Sequence, residues 1–185
     1  MAAGKKKAAP KKQAANPVVE MVTSMGTIKI ELDKAGAPVS VDNFLSYANK
    51  KHFDGTVFHR VISGFMIQGG GFKVAGKTIE QKPSSNPIKN EGSKDRPNLK
   101  GTIAMARTND INSATAQFFI NVADNSFLNY KSASNPGYAV FGKVIGGLDV
   151  VEKIAKVKTT KRQAKALAPG STKHVETGFS DVPVR

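Results

Sequence analysis

Arg60 and Gln68 sit in the run Val57-Phe58-His59-Arg60-Val61-Ile62-Ser63-Gly64-Phe65-Met66-Ile67-Gln68-Gly69-Gly70, which is otherwise apolar and strand-forming. If the run alternates as strands do, Phe58 shares a face with Arg60 and Met66 with Gln68, so both polar groups lie among apolar neighbours. Polar groups in such surroundings need partners. A guanidinium is a fixed fork of donors with a permanent charge, so the chemistry open to this pair is hydrogen bonding and charge stabilisation, not proton transfer. The run fits equally well a core strand whose arginine lays its stem over apolar surface. His59 is adjacent to Arg60 but points to the other strand face by the same alternation, and is expected to be structural.

Other chemistries lack their residues. The chain has no cysteine, which excludes disulfides, thiolate nucleophiles and Cys-ligated zinc. His52, His59 and His174 show no ligand spacing, so no metal is expected. Gly69-Gly70-Gly71 is followed by neither the lysine nor the helix of a phosphate-binding loop, and backbone freedom is its expected role. No serine stands in a GxSxG turn. An enzyme built from this sequence would work without a cofactor.

The elements that must hold Arg60 and Gln68 read as mainly β. Residues 18–24 and 27–32 are β-rich runs about Met25-Gly26, and the second alternates Ile28, Ile30 and Leu32 with Lys29 and Glu31. Val41, Phe44, Leu45 and Ala48 follow Pro38 at helical spacing, predicting a helix over 38–50. Short strands are expected within 53–72, a long surface excursion over 73–100, and strands at 101–106, 117–122 and 138–144. Leu148, Val151, Ile154 and Ala155 predict a second helix over 147–156, and the absence of βαβ alternation argues for an antiparallel sheet or barrel. Residues 157–180 read as a Lys/Thr/Gly-rich loop.

Charge is terminal. Of the net +14, residues 1–15 contribute five lysines and no acid, residues 16–152 contribute 15 bases and 12 acids, and residues 153–185 contribute eight bases and two acids. Residues 1–16 therefore read as a hydrated basic tail and 17–185 as one domain. The tail is either a solubilising segment or an electrostatic tether to nucleic acid or ribosomes. No apolar stretch of secretory or membrane-spanning length is visible, which favours a cytoplasmic protein with no membrane contact.

The order of segments resembles the cyclophilin family of peptidyl-prolyl cis–trans isomerases, especially its compact bacterial members, over about residues 17–157. The resemblance rests on Phe58–Ile62 with Gly64–Gly70, Gly101–Arg107, Ala116–Asn121 and Tyr138–Gly142. It implies a closed eight-stranded antiparallel barrel capped by two helices, monomeric, with a proline groove on its outer face. By position, Arg60 matches the family's catalytic arginine and Gln68 the glutamine beside it. Phe65, Met66, Phe119 and Leu128 match the proline pocket. Ala106, Arg107 and Gln117 match the adjoining groove for substrate backbone. Phe127 stands where many eukaryotic members have tryptophan and Tyr138 where they often have histidine. The missing indole N–H implies weak binding of cyclosporin-like cyclic peptides, and Ala116 replaces the usual serine.

The implied reaction suits an arginine. Rotation about an X–Pro amide has a barrier of about 18–20 kcal/mol because it breaks resonance. The twisted prolyl nitrogen accepts a hydrogen bond that the planar amide cannot, so favouring that state needs a donor and no base. The implied partners are proline-containing peptides and unfolded or partly folded proteins. Two rivals remain: a basic adaptor that only binds proline segments, and a holdase chaperone indifferent to proline. The family's last strand is expected to be missing or truncated, since Val182-Pro183-Val184-Arg185 ends the sequence where it would begin.

Overall fold

The computed structural model describes residues 15–167 and 174–183; residues 1–14 of the basic tail lie outside them. Twelve strands and two α-helices follow one another along these residues. The first hairpin pairs β1 (Val18–Thr23) with β2 (Gly26–Leu32). Ile28, Ile30 and Leu32 are fully buried while the alternate positions face solvent. On that solvent face Lys29 meets Glu20 at 2.9 Å and Lys143 meets Glu31 at 3.2 Å, each directly across a ladder.

Helix α1 (Pro38–Asn49) starts with proline at its first turn and no side-chain cap of its own. Its orphan amides are served from elsewhere: the Glu91 carboxylate accepts from Val39 N at 3.1 Å and Ser40 N at 2.7 Å. An anion at this end also complements the helix dipole.

Four strands follow α1 and cross between two sheets: β3 (Thr56–Val57), β4 (Arg60–Ile62), β5 (Met66–Gly69) and β6 (Phe72–Ala75), the last turning back through Gly76 into β7 (Thr78–Gln81). Then come β8 (Thr102–Met105), β9 (Phe118–Asn121), a 3-10 turn (Ser126–Leu128) and β10 (Val140–Gly146). Helix α2 (Leu148–Ala155) and strands β11 (Thr159–Leu167) and β12 (His174–Pro183) complete the order. One sheet runs β1-β2-β10-β8-β9-β5-β4, the other β12-β11-β7-β6-β3. Every ladder is antiparallel except that of β11 with β7.

The main core lies between the seven-stranded sheet and the helices. Val61, Ile67, Ile103, Met105, Phe118 and Ile120 from the sheet pack with Val41 and Phe44 of α1 and Val150, Val151 and Ile154 of α2. Phe44 sits 5.5 Å edge-on to Phe118 and 5.4 Å from Phe141. Truncating a buried ring such as Phe141 to alanine would cost about 3–5 kcal/mol. A smaller core of Phe72, Ile79 and Ala164 lies at the second sheet.

Five expectations change. The barrel is not closed: the strands form two open sheets, with no ladder joining them among the described residues. The stretch 73–100 is not all excursion, because its first part holds most of β6 and all of β7. The loop expected over 157–180 is largely the β11–β12 hairpin, so the final strand is present, drawn from residues with few apolar side chains. Phe58 does not share a face with Arg60. Phe58 and His59 lie between β3 and β4, where the chain passes from one sheet to the other, and Phe58 packs into the main core. Leu148, placed on the buried face of α2 by its spacing, is 37% exposed. Among the described residues no helix is long and apolar enough to cross a membrane.

Candidate active site

Strand alternation and ladder register bring most of the singled-out residues onto one face of the seven-stranded sheet. Arg60 of β4 stands opposite Gln68 of β5, Gln68 opposite Phe119 of β9, Phe119 opposite Ala104 of β8, and Ala104 opposite Val140 of β10. The intervening residues, Val61, Ile67, Ile120 and Ile103, belong to the main core. The row starting at Arg60 therefore lies on the face turned away from that core.

This outer face is apolar and walled. Met66 and Phe119 are nearly fully buried and pack with Ala104 and Val140, while Ile62, Phe65, Ala106, Leu128 and Tyr138 surround them, each partly exposed. Met66 and Phe119 thus form a floor, covered by rim residues rather than by the protein core. Phe127 leans over the rim: it is 62% exposed and stacks on Phe65 at 5.5 Å. At the far side Tyr138 meets Phe119 edge-on at 5.6 Å.

Polar contacts tie this slot to a neighbouring groove. Gln68 Nε2 donates to Gln117 Oε1 at 2.9 Å. Ala106 N donates to the Gln117 carbonyl at 3.0 Å, extending the β8–β9 ladder. Arg107 is fixed by donation from Nε to the Gly137 carbonyl at 3.1 Å, and its guanidinium lies 4.6 Å over the Tyr138 ring. The glycine run makes this geometry possible. Gly70 has φ +86, and a Cβ there would stand 2.7 Å from the Ala116 carbonyl; at Gly71 it would stand 2.6 Å from Gln117 Cγ.

His59 is fully buried, with its ring 4.6 Å from Phe72. Burial above all pushes its pKa down to about 4; the Val57 backbone and the Gln117 side chain act the other way, and the Arg60 charge lowers it further. Its place is inside the protein, outside the slot, set by the passage from β3 to β4 and not by strand alternation. A cleft of about 810 Å³ opens behind the sheet, among Val19, Met21, Phe44, Phe53, Phe118 and Ile154; Phe58 and Gly70 line it, but Arg60, Gln68 and the apolar slot residues do not.

Sequence reasoning missed Ile62, Ala104 and Val140 in the slot, although two-residue periodicity from Arg60, Ala106 and Tyr138 points to each. It also missed three buried asparagines behind the rim, Asn98, Asn121 and Asn125, which single-residue composition does not separate from loop asparagines.

An apolar cluster beside a guanidinium and a carboxamide, on the outer face of a mainly β fold with two helices, suits short apolar segments that carry hydrogen-bond acceptors. Comparison with known proteins narrows the class. Residues 18–176 match the family described as cyclophilin type peptidyl-prolyl cis–trans isomerase/CLD. A peptidyl-prolyl cis–trans isomerase of Acinetobacter baylyi is 56% identical over 146 residues, covering 79% of this chain and 76% of that protein. Another, from Streptomyces antibioticus, is 52% identical over 169 residues, covering 90% of this chain and 92% of that protein. A crystal structure of a Cryptosporidium parvum cyclophilin type isomerase, determined in the presence of the dipeptide Ala-Pro, shares the fold with a TM-score of 0.64 at 24% identity, covering 91% of this chain and 99% of that one. The chain belongs to the cyclophilin-type peptidyl-prolyl cis–trans isomerase family.

Proposed function

We propose that this peptidyl-prolyl isomerase accelerates X–Pro rotation with Arg60 as the catalytic donor, and that it does so on proline-containing segments of unfolded or partly folded proteins. The observation that carries the reading is the row of Arg60, Gln68 and Phe119 across three adjacent strands, on the face away from the core. The pyrrolidine ring sits on Met66 and Phe119 between Phe65 and Leu128. The flanking backbone runs over Ala106, Arg107 and Gln117, with Phe127 and Tyr138 at the rim. As the amide twists, the prolyl nitrogen becomes pyramidal and accepts a hydrogen bond from the Arg60 guanidinium, an interaction the planar ground state does not make. Gln68, held by Gln117, orients Arg60 or the substrate carbonyl. No proton changes hands, so no base is needed.

Arg60→Ala is the test. Loss of one such donor should lower kcat on a short X–Pro peptide by about 10²–10³-fold, with the circular dichroism spectrum unchanged. An unchanged rate would refute the role of Arg60. Retained assistance to a refolding protein by Arg60→Ala would instead favour a holdase. Salt-sensitive nucleic-acid binding lost on deleting residues 1–16, together with absent turnover, would favour a basic adaptor.

A further inference from the structure

We propose that Asn98, Asn121 and Asn125 are positioning residues that hold the rim of the proline slot in register; this rests on the slot reading above. All three are buried, at 1%, 0% and 3% exposure, and they form one connected amide network. Asn121 Nδ2 donates to Asn98 Oδ1 at 3.2 Å and to Thr102 Oγ1 at 2.9 Å, while Asn121 Oδ1 accepts from Asn125 Nδ2 at 2.7 Å.

The outer arms of the network end on the rim. Asn125 Nδ2 also donates to the Phe65 carbonyl at 3.0 Å. Asn98 Nδ2 donates to the Leu128 carbonyl at 3.2 Å and lies 3.4 Å from that of Tyr138. Asn98 is itself held by Asn129, whose Oδ1 accepts from the Asn98 backbone N at 2.7 Å. Phe65, Leu128 and Tyr138 come from three separate stretches of chain, before β5, in the 3-10 turn and before β10; Tyr138 N donates to the Leu128 carbonyl at 3.0 Å and the Phe65 carbonyl accepts from Val122 N at 2.9 Å, but no strand ladder holds all three together. Their carbonyls nevertheless converge on two amides joined through Asn121.

An apolar filling would join the same stretches without fixing direction, whereas planar amides set both distance and angle. In a buried network each lost partner leaves another polar group unsatisfied, so the arrangement is held as a unit. The carbonyls that the network holds belong to Phe65, Leu128 and Tyr138, so it acts on the walls. The walls grip planar and twisted states alike, and their misalignment belongs in KM rather than in kcat.

The experiment measures kcat and KM on the tetrapeptide Ala-Ala-Pro-Phe for Asn98→Ala, Asn125→Ala, Arg60→Ala and Ile154→Ala, the last a destabilising control in the main core. The asparagine variants should raise KM about five- to tenfold with kcat within twofold, and Ile154→Ala should leave both within twofold while folded. Unchanged KM in folded Asn98→Ala and Asn125→Ala, an equal rise in Ile154→Ala, or a fall in kcat alone would overturn the inference. If both asparagine variants fail to fold, the side-chain amide NMR signals of Asn98 and Asn125 in the unmodified chain decide: they should shift as the peptide saturates the slot, and signals that do not move refute it. Full turnover in Arg60→Ala would remove the slot reading itself, whereas lost turnover there with unchanged KM in the asparagine variants removes only the positioning role.

Discussion

Arg60 and His59 are adjacent in the chain and meet different solvents. Arg60 is partly exposed on the outer face, while His59 is sealed against Phe72 where the chain changes sheets. The buried ring makes stability depend on pH. Its pKa is about 4 in the folded protein against 6.5 for the free group, so between those values the unfolded chain binds a proton that the folded chain does not. Stability from the neutral ring is complete above pH 6.5 and is lost as pH falls to about 4, an effect of about 3 kcal/mol. Urea denaturation of the unmodified chain and of His59→Gln at pH 7 and pH 4.5 should show a clearly smaller acid loss in the variant; equal losses would mean that His59 does not carry the effect. A second side chain, Phe65, contributes through contact alone. Phe65→Ala removes both a slot wall and the stacking partner of Phe127, and kcat/KM should fall about tenfold, with weakened peptide binding measured by calorimetry. Retained affinity would contradict the wall assignment.

The strands that carry these residues differ in how plainly their sequences announce them. β2 and both helices were legible because apolar residues recur at the period of the element, and β8 and β9 because burial on both faces leaves a short continuous apolar run. Most of the slot's residues were legible for a different reason, since they fall in four family motifs whose order the chain preserves, with Phe127 and Leu128 lying between two of them. What was not legible is polar. β11 and β12 pair by backbone, with Ala164 as a fully buried anchor, so their side chains show little period. The asparagine network was hidden because burial of an amide depends on partners distant in sequence, Asn125 with Phe65 being 60 residues apart. The glycine run shows how an element without side chains still shapes the site. Gly71→Ala should push Gln117 from its place and break its bond with Gln68. The expected loss in kcat/KM is about fivefold, comparable with one hydrogen bond. Gln117→Ala should cost a similar amount, and the double variant no more than either alone, since both remove one interaction. Additive losses would show that Gly71 acts elsewhere.

The two sheets divide the molecule's tasks. The seven-stranded sheet carries the main core on one face and Arg60, Met66, Gln68 and Phe119 on the other, while Phe65, Leu128 and Tyr138 stand beside it on connecting segments. The five-stranded sheet carries neither Arg60 nor any slot wall, but its core of Phe72, Ile79 and Ala164 is closed by the β11–β12 hairpin, and β12 runs beside β4. On this division, damage to the second sheet should lower stability and spare catalysis. Ala164 offers a test because it is fully buried and pairs with Ile79 across the parallel ladder. Ala164→Asp places an unpaired carboxylate in that small core, where burial of a charge without a partner costs about 3 kcal/mol or more. Thermal unfolding should occur several degrees lower. At temperatures where the variant is still folded, kcat and KM on a short X–Pro peptide should stay within twofold of the unmodified chain. A large loss of kcat in the folded variant would mean that the second sheet sets the position of β4, and with it the reach of Arg60.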